Sequence, residues 1–232
     1  MAYEAENSGE LFVNLVSQPG QGRMADKSHA GMRGHTDAAS FPLPGEIDPE
    51  FPRISPSPRV VCLAGLRNPK QIATRVMPLS EILRRLDKKH IETLAKPHYF
   101  ARCQDTFKKG TEKALGEVHE VFGIPVIVMR EPIPIVRFSH SHVLPDQLED
   151  EVEERTAVEA HQAFQRAAHD SIIHVVVGPG DILLINNQVG LHGRDAPGPE
   201  IGGQTRWLLR TYGFNTEDLR EENFVGPQRL YP

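Results

Sequence analysis

The chain has little of what marks secreted, membrane-bound or nucleic-acid-binding proteins. Its two cysteines, Cys62 and Cys103, lie far apart in apolar segments, so buried thiols in a reducing cytoplasm are favoured over a disulfide framework. No apolar run approaches the roughly 18 residues of a membrane span, and the N-terminal residues lack the basic flank and apolar core of a signal peptide. A formal net charge of −5 argues against a nucleic-acid surface, which needs a basic face.

The composition is otherwise that of a folded globular chain. Hydrophobic residues make up 39% of the sequence and charged residues 25%, which is ordinary for such a protein. A length of 232 residues can bury a core and suits one domain, expected to span residues 1–232. We expect a small-molecule partner rather than nucleic acid or a membrane, and the sequence leaves the oligomeric state open.

Short apolar segments bounded by glycine, proline and asparagine predict many short strands. They are expected at residues 10–16, 59–66, 98–103, 124–129, 133–139, 172–177, 181–186 and 205–213. Apolar residues at helical spacing predict helices at residues 79–96 and 146–169. A proline-rich insert at residues 42–58 is expected to be an irregular surface loop. This pattern predicts a mainly β protein with flanking helices, built on a double-stranded β-helix, or jelly roll.

The most informative stretch is residues 175–212. A Gly-Pro-Gly-Asp turn at residues 178–181 joins two predicted strands, because proline presets φ and glycine tolerates a positive φ. His192 follows the second strand at a position expected to be exposed, and Arg206 opens another strand fourteen residues later. A functional role for His192 requires a partner from elsewhere in the chain, and His35 and Asp37 supply one.

His35 and Asp37 alternate along a predicted extended segment, so their imidazole and carboxylate can point to one side. Alone, this tripeptide is more often a loop histidine beside a capping aspartate, and His192 alone is more often an ordinary loop residue. Together, two histidines and a carboxylate form a facial metal-ligand set with three open positions, as a non-haem Fe(II) oxygenase requires. A structural zinc site would close four ligands, usually with thiolates, and neither cysteine has that spacing.

Arg206 suits a second requirement of such an oxygenase, a group that holds a co-substrate. A guanidinium binds a carboxylate through two parallel hydrogen bonds, and beside the metal it suits a 2-oxo diacid. Arg210 lies four residues further on, which in a strand is the same face. Either arginine can reach the acid, or the pair can share it.

These motifs, in this order, resemble the Fe(II)/2-oxoglutarate dioxygenases of the taurine dioxygenase superfamily. Within that superfamily, the clavaminate synthase-like branch, which includes amino-acid hydroxylases, is the most similar. The resemblance extends over most of residues 3–215, and its specific part comprises residues 35–37, 180–187, 191–194 and 206–210.

The resemblance implies a set of ligands. By it, His35, Asp37 and His192 bind Fe(II), Arg206 holds the distal carboxylate of 2-oxoglutarate, Arg210 lies beside Arg206, and Thr74 adds a hydroxyl to the same carboxylate. It also implies O₂ as a co-substrate and oxidative decarboxylation of 2-oxoglutarate to succinate and CO₂, coupled to hydroxylation of a C–H bond. Asp37 stands where the branch often has glutamate, and a carboxylate at this place disfavours halogenation. Relatives usually carry a longer N-terminal region than this chain.

Two further features concern the substrate. Residues 145–154 carry six acidic side chains, interpreted as part of an acidic helical lid over residues 145–169 that steers a basic amino acid, or, more ordinarily, as a solvated helix N-terminus. His140 and His142 favour lining of the substrate pocket over metal ligation, and residues 103–107 could line the same cavity. The candidate substrate contacts are Gln21, Ser139, His140 and Asp146.

The sequence therefore predicts a cytoplasmic Fe(II)- and 2-oxoglutarate-dependent oxygenase that hydroxylates a free amino acid or a small natural-product intermediate. The same site could instead catalyse desaturation or cyclisation, and the sequence does not separate these reactions. A catalytically impaired metal-binding partner subunit is the alternative from a different class of protein.

Overall fold

The computed structural model describes residues 1–19 and 28–232, and its regular structure is mainly β. The strands in this part of the chain are β1 (Ala2–Tyr3), β2 (Val13–Leu15), β3 (Met32–His35), β4 (Val60–Arg67), β5 (Ala73–Pro78), β6 (Tyr99–Arg102), β7 (Glu120–Ile124), β8 (Ile127–Val128), β9 (Ile135–Val136), β10 (Val143–Pro145), β11 (Ile173–Val176), β12 (Ile182–Asn186), β13 (Gly190–Arg194), β14 (Trp207–Gly213), β15 (Phe224–Gly226) and β16 (Arg229–Leu230). The predicted strands are present, several of them shorter than expected, and β1, β5, β7, β10, β13, β15 and β16 are additional strands.

The helices differ more from expectation. The α-helices whose bounds lie within the described residues are α1 (Leu79–Leu83), α2 (Lys88–Leu94), α3 (Asp105–Leu115) and α4 (Glu151–His169). The single helix predicted over residues 79–96 is wrong, because the chain turns between α1 and α2. The helix predicted from residue 146 begins only at residue 151, where the Asp150 carboxylate caps α4 by accepting from the N–H groups of Val152 and Glu153.

Two four-stranded antiparallel sheets form the centre of the molecule. Their strand orders are β11-β5-β13-β3 and β12-β4-β14-β2, so the chain changes sheet at each step from β11 to β14. Side chains from the second sheet, including Leu63 and Leu208, share an apolar cluster with Val76 and Val175 of the first sheet. The inner faces of the two sheets therefore pack on each other, and the polar residues between them are held in a fixed frame.

The predicted turn between β11 and β12 is confirmed. The N–H of Asp181 donates to the carbonyl oxygen of Gly178 at 3.1 Å, and Gly180 has a φ of 88°, which glycine adopts without strain. The turn keeps β11 and β12 in different sheets.

Helices α1, α2 and α4 pack together at one side of the first sheet. Ala157, Ala160 and Phe164 of α4 are fully buried in one cluster with Met77 of β5 and Leu191 of β13. A helix that buries this face is a core element, and the interpretation of residues 145–169 as an acidic lid over the substrate stays a prediction. The acidic residues before it form a capped helix N-terminus.

The insert at residues 42–58 is irregular, as predicted, but it is not a surface loop. Leu43 and Ile54 are 2% and 1% exposed. Asp48 accepts hydrogen bonds from the N–H groups of Glu50 and Phe51, and its Oδ2 lies 2.9 Å from Nε2 of His119. The insert is thus fastened to the body of the protein by a buried polar group.

Smaller sheets have the strand orders β10-β6-β7, β1-β16-β15 and β8-β9. Among the described residues, no helix combines the length and the apolar character needed to cross a membrane. Cys62 and Cys103 are both free; Cys103 is buried, as predicted, whereas Cys62 is half-buried.

Candidate active site

His35 and His192 lie side by side because of strand pairing. Strand β13 pairs with β3 in a register that places His192 opposite His35, and the ring centroids are 4.4 Å apart. Strand β5 pairs with the other side of β13, so His192 lies inside the sheet and is 7% exposed. The expectation of an exposed histidine after a strand is wrong, because residues 190–194 are themselves a strand with two neighbours.

Asp37 reaches the same point from a turn rather than from a strand. Strand β3 ends at His35, and in the turn that follows Ala38 has a φ of 55°. The Asn187 side chain fixes this turn, accepting from the Asp37 N–H at 2.9 Å and donating to the Asp37 carbonyl oxygen at 3.1 Å. Gln104 accepts from the Ala38 N–H at 2.7 Å. The side chains of His35 and Asp37 converge because of this turn and not because of strand alternation.

The three side chains form a compact set of metal donors. Nε2 of His35 lies 3.4 Å from Oδ1 of Asp37, and Nε2 of His192 lies 3.6 Å from Oδ2. One ligand atom of each residue lies within 4.8 Å of the other two. Burial, reinforced by the neighbouring His35, lowers the pKa of His192, which keeps its imidazole in the neutral form that binds metals. Two imidazoles and one carboxylate fit a facial triad for Fe(II).

Asp37 accepts two further hydrogen bonds. The Tyr212 hydroxyl donates to Oδ2 at 3.0 Å, and Nη1 of Arg210 donates to the same oxygen at 3.2 Å. Nη2 of Arg210 pairs with the Glu6 carboxylate. Burial opposes ionisation of Asp37, but Arg210 and His192 outweigh it and hold the pKa of this carboxyl well below its usual value. The charged contacts of Arg210 are thus with two carboxylates, and its predicted contact with a co-substrate stays a prediction.

Arg206 and Thr74 connect the two sheets. Nη2 of Arg206, just before β14, donates to Oγ1 of Thr74 on β5 at 2.9 Å, and the residues are 4% and 1% exposed. Within the described part of the chain, Nε of Arg206 has no hydrogen-bond partner. Burial, followed by the charge of Arg194, lowers the pKa of Arg206 to about 10, so the guanidinium stays charged at neutral pH. A buried cation with an unused N–H is suited to bind a carboxylate.

These groups line one cavity of about 440 Å³, a size typical of small-molecule sites. The predicted residues that line it are His35, Asp37, Thr74, Ser139, His140, His192, Arg206 and Arg210. Asp146 is not among the described residues of its wall, and its carboxylate accepts from the Gln147 N–H instead. Gln21 lies outside the described residues.

Ser139 and His140 contribute neutral polar groups to the cavity. The backbone of Ser139 forms an isolated antiparallel β-bridge with His35. The Ser139 hydroxyl oxygen lies 3.2 Å from Nδ1 of His142. Nδ1 of His140 lies 3.0 Å from the carbonyl oxygen of Gly34. Burial lowers the pKa of His140 to about 4, so this imidazole is uncharged at neutral pH.

Other residues of the site are missed by sequence reasoning. Glu6 and Asn187 carry no local signal, because their partners lie 204 and 150 positions away. At residues 103–107 the expectation is partly right: Gln104 and Asp105, at the start of α3, line the cavity. Cys103 is buried, and burial raises the pKa of its thiol to about 11.

Comparison with known proteins agrees with this geometry. The profile of the family described as "Taurine catabolism dioxygenase TauD, TfdA family" matches residues 2–212. The L-lysine 3-hydroxylase of Catenulispora acidiphila is 25% identical over 215 residues, covering 91% of this chain and 54% of the relative. The L-asparagine oxygenase of Streptomyces coelicolor is 25% identical over 236 residues, covering 99% of this chain and 61% of the relative. The chain thus spans little more than half the length of these relatives.

Solved structures show the same fold. An asparagine oxygenase in complex with Fe(II), 2S,3S-3-hydroxyasparagine and succinate superposes with a TM-score of 0.75 at 21% identity, covering 100% of this chain and 65% of the other. The non-heme iron oxygenase OrfP in complex with Fe and L-Arg gives a TM-score of 0.71 at 21% identity, with 99% and 64% covered. With the family profile matched along residues 2–212, the chain belongs to the TauD, TfdA family of dioxygenases.

Proposed function

We propose that this chain is an Fe(II)- and 2-oxoglutarate-dependent dioxygenase that hydroxylates an amino acid. The observation that carries the proposal is the meeting of two groups in one cavity. One is the donor set of His35, Asp37 and His192, and the other is the carboxylate-binding pair of Arg206 and Thr74. A facial triad suits several metal reactions, whereas a buried guanidinium beside it adds a place for a diacid co-substrate.

Each residue then has a defined task. His35, Asp37 and His192 would hold the iron, and Arg206 with Thr74 would hold the distal carboxylate of 2-oxoglutarate. When bound, iron and 2-oxoglutarate supply the oxidation of the substrate by O₂, with release of succinate and CO₂. The protein supplies binding and orientation: burial of His192 keeps its ring neutral, and Asn187 and Gln104 fix the turn that carries Asp37.

An amino acid is the proposed substrate because the similar proteins act on or bind one: L-lysine, L-asparagine and, in the OrfP complex, L-Arg. The cavity wall also contains the carboxylate of Asp105, whose Oδ1 lies 3.9 Å from Nε2 of His142. A carboxylate in the wall supports a substrate with a cationic group, so the basic amino acids are the first to test.

The proposal includes the finer description of the fold. Two facing antiparallel sheets whose strands alternate along the chain support a double-stranded β-helix in a single domain. A cytoplasmic location is also part of the proposal, supported by the two free cysteines.

The test is turnover. The purified protein is incubated with Fe(II), 2-oxoglutarate, O₂ and a panel of amino acids, and succinate and oxygenated amino acid are measured together. We expect equal amounts of succinate and an amino acid that has gained one oxygen atom. Asp146→Asn, outside the cavity, serves as the control and should turn over like wild type, whereas Asp37→Ala should be inactive. Absence of succinate and product with every amino acid, from protein shown to bind iron, would overturn the amino-acid assignment.

A further inference from the structure

We propose that Glu6 is a positioning residue that neutralises Arg210 and so keeps the carboxylate of Asp37 available to the metal. This inference rests on the function proposed above and concerns the same site. The Glu6 carboxylate pairs with Nη2 of Arg210, whose Nη1 donates to Oδ2 of Asp37 at 3.2 Å. The three residues are 5%, 8% and 4% exposed, so they form one buried row of alternating charges.

The need for Glu6 follows from the charges. A guanidinium that contacts a metal-binding carboxylate competes with the metal, because both are cations that use the same oxygen lone pairs. Arg210 and Asp37 alone sum to zero charge, whereas the row with Glu6 carries one negative charge. In a buried site, solvent and salt screen the attraction between this one negative charge and a metal cation only weakly. Glu6 therefore restores the charge that attracts a divalent cation.

The chain is built to deliver Glu6 to this point. Tyr3 is fully buried, and its hydroxyl donates to the carbonyl oxygen of Pro56 at 2.6 Å. Ala5 lies directly on α3 at Gly110, where a Cβ would collide with the Ala5 backbone. The segment before Glu6 is thus held in two ways. Strand β1 is fixed by the buried Tyr3, and the Ala5 backbone lies so close to α3 that only a glycine fits at position 110.

The backbone after Glu6 is strained. Asn7, Ser8 and Gly9 have φ values of 47°, 59° and 73°, three left-handed residues in succession. The conformation is uncommon for residues other than glycine, and it persists only where surrounding contacts impose it. The ion pair between Glu6 and Arg210 is the buried contact immediately before this turn.

The test measures metal affinity, since an ion pair that is merely structural would not change it. Apo-proteins are titrated anaerobically with Fe(II), and with Co(II) as a visible reporter, after circular dichroism has shown that each is folded. Outer-shell changes usually weaken metal binding by about 10- to 100-fold, and we expect such a loss in Glu6→Gln. Glu6→Asp should recover part of it, because the charge is kept. Glu4→Gln changes an exposed acid of the same segment, which pairs with Arg229, and should bind metal like wild type.

A double variant makes the test specific. Glu6→Gln with Arg210→Met removes the competing cation together with its counter-charge, and should bring the metal Kd back to within about threefold of wild type, well inside the loss expected for the single variant. Unchanged affinity in Glu6→Gln, or a double variant no better than Glu6→Gln, overturns the inference and leaves the proposed function standing. If Glu6→Gln does not fold, a double variant that binds metal more than tenfold more weakly than wild type overturns it. Failure of wild type to bind metal refutes the proposed function itself.

Discussion

Arg206 and Arg210 lie four residues apart and line the same cavity, but their guanidinium groups have different partners. Arg210 contacts the carboxylates of Glu6 and Asp37. Arg206 donates to the Thr74 hydroxyl and, among the residues that the structure describes, has no carboxylate partner. A buried cation is stable only with a counter-charge, so Arg206 is the arginine left to bind the carboxylate of a ligand.

Replacing Arg206 by methionine should therefore act on co-substrate binding first. Loss of one partner of a buried charge pair costs about 2–5 kcal/mol, which corresponds to a Kd for 2-oxoglutarate at least roughly 30-fold higher. Thr74→Val removes a single hydrogen bond and should have the smaller effect. Titration calorimetry with 2-oxoglutarate on the metal-loaded proteins measures both, and an effect of Thr74→Val that exceeds that of Arg206→Met would contradict the assignment.

At this scale the sequence predicts residues with a chemical signature and misses those with a supporting role. The sequence singles out His35, Asp37, His192 and Arg206 because metal ligation and carboxylate binding demand particular residue types at particular spacings, and the structure brings all four to one cavity. Glu6 has no such signature. Its partner, Arg210, is 204 positions away, and nothing in the local sequence distinguishes Glu6 from other acidic residues in loops. Asp146, one of six acids within residues 145–154, is chosen from its neighbourhood in sequence and is not among the described residues of the cavity wall.

Among the elements, the turn after β3 depends on a side chain from the far end of the chain. Asn187 is 1% exposed and bonds to both the N–H and the carbonyl oxygen of Asp37. Asn187→Ala leaves these buried groups unsatisfied, and we expect a loss of about 2–4 kcal/mol in the free energy of unfolding, with weaker metal binding. Asn186→Ala, at an exposed neighbour, should cost at most about 1 kcal/mol. Denaturant unfolding measures the free energy of unfolding of both variants. Equal losses in the two variants would show that the turn does not depend on Asn187.

The contact of α3 with the N-terminal segment predicts that a glycine-to-alanine change in this helix lowers stability, the opposite of its usual effect. Gly→Ala inside an open helix stabilises by about 1 kcal/mol. At Gly110 it should destabilise, because the new Cβ meets the Ala5 backbone and pushes the segment that carries Glu6. Thermal unfolding and metal titration of Gly110→Ala measure both effects, with Lys109→Ala on the exposed side of α3 as the control. A more stable Gly110→Ala protein with normal metal affinity would refute the close approach.

The insert at residues 42–58 should give a pH-dependent stability. Burial works to raise the pKa of Asp48, but the hydrogen bonds from His119 and Phe51 outweigh it and lower the pKa below its usual value. A depressed carboxyl pKa stabilises the folded state above the unfolded value of about 3.9, and this contribution is lost as pH falls through the folded pKa. Asp48→Asn should thus be less stable than wild type at neutral pH by about 1–3 kcal/mol, with the difference shrinking below about pH 4.

Unfolding curves between acid and neutral pH measure this difference for Asp48. The Asp87 side chain is 89% exposed, so Asp87→Asn serves as the control. The difference in unfolding free energy between Asp87→Asn and wild type should stay small across this pH range. A difference between Asp48→Asn and wild type that stays constant down to the lowest pH would mean that the Asp48 carboxylate does not fasten the insert.

The errors at the level of elements have physical causes. Leu79, Ile82 and Leu94 keep helical spacing across the break between α1 and α2, because both helices pack against the same helix, α4. Periodicity therefore cannot reveal the break. Helix α3 is missed because it buries only Phe107 and Thr111 and contains a glycine. The burial of the insert depends on His119, more than sixty positions away, which no local pattern announces.

At the scale of the whole molecule, the two sheets act as the frame that brings distant residues together. Strand β3, near one end of the chain, pairs with β13, and β5 bonds through Thr74 to the residue before β14. The sequence predicts the mainly β architecture because short apolar strands recur with turn residues between them. The pairing that joins His35 to His192 arises only from the register of long-range strands, so it follows from the fold and not from any local segment.

The central claim is that one cavity binds both Fe(II) and 2-oxoglutarate, and an anaerobic titration tests it most directly. Fe(II) and then 2-oxoglutarate are added to the purified protein while the visible absorption is followed for a weak metal-to-ligand charge-transfer band. We predict a band in wild type that is absent in Asp37→Ala and in Arg206→Ala. Wild-type protein that shows no band, and that binds neither the metal nor 2-oxoglutarate by calorimetry, would contradict the account.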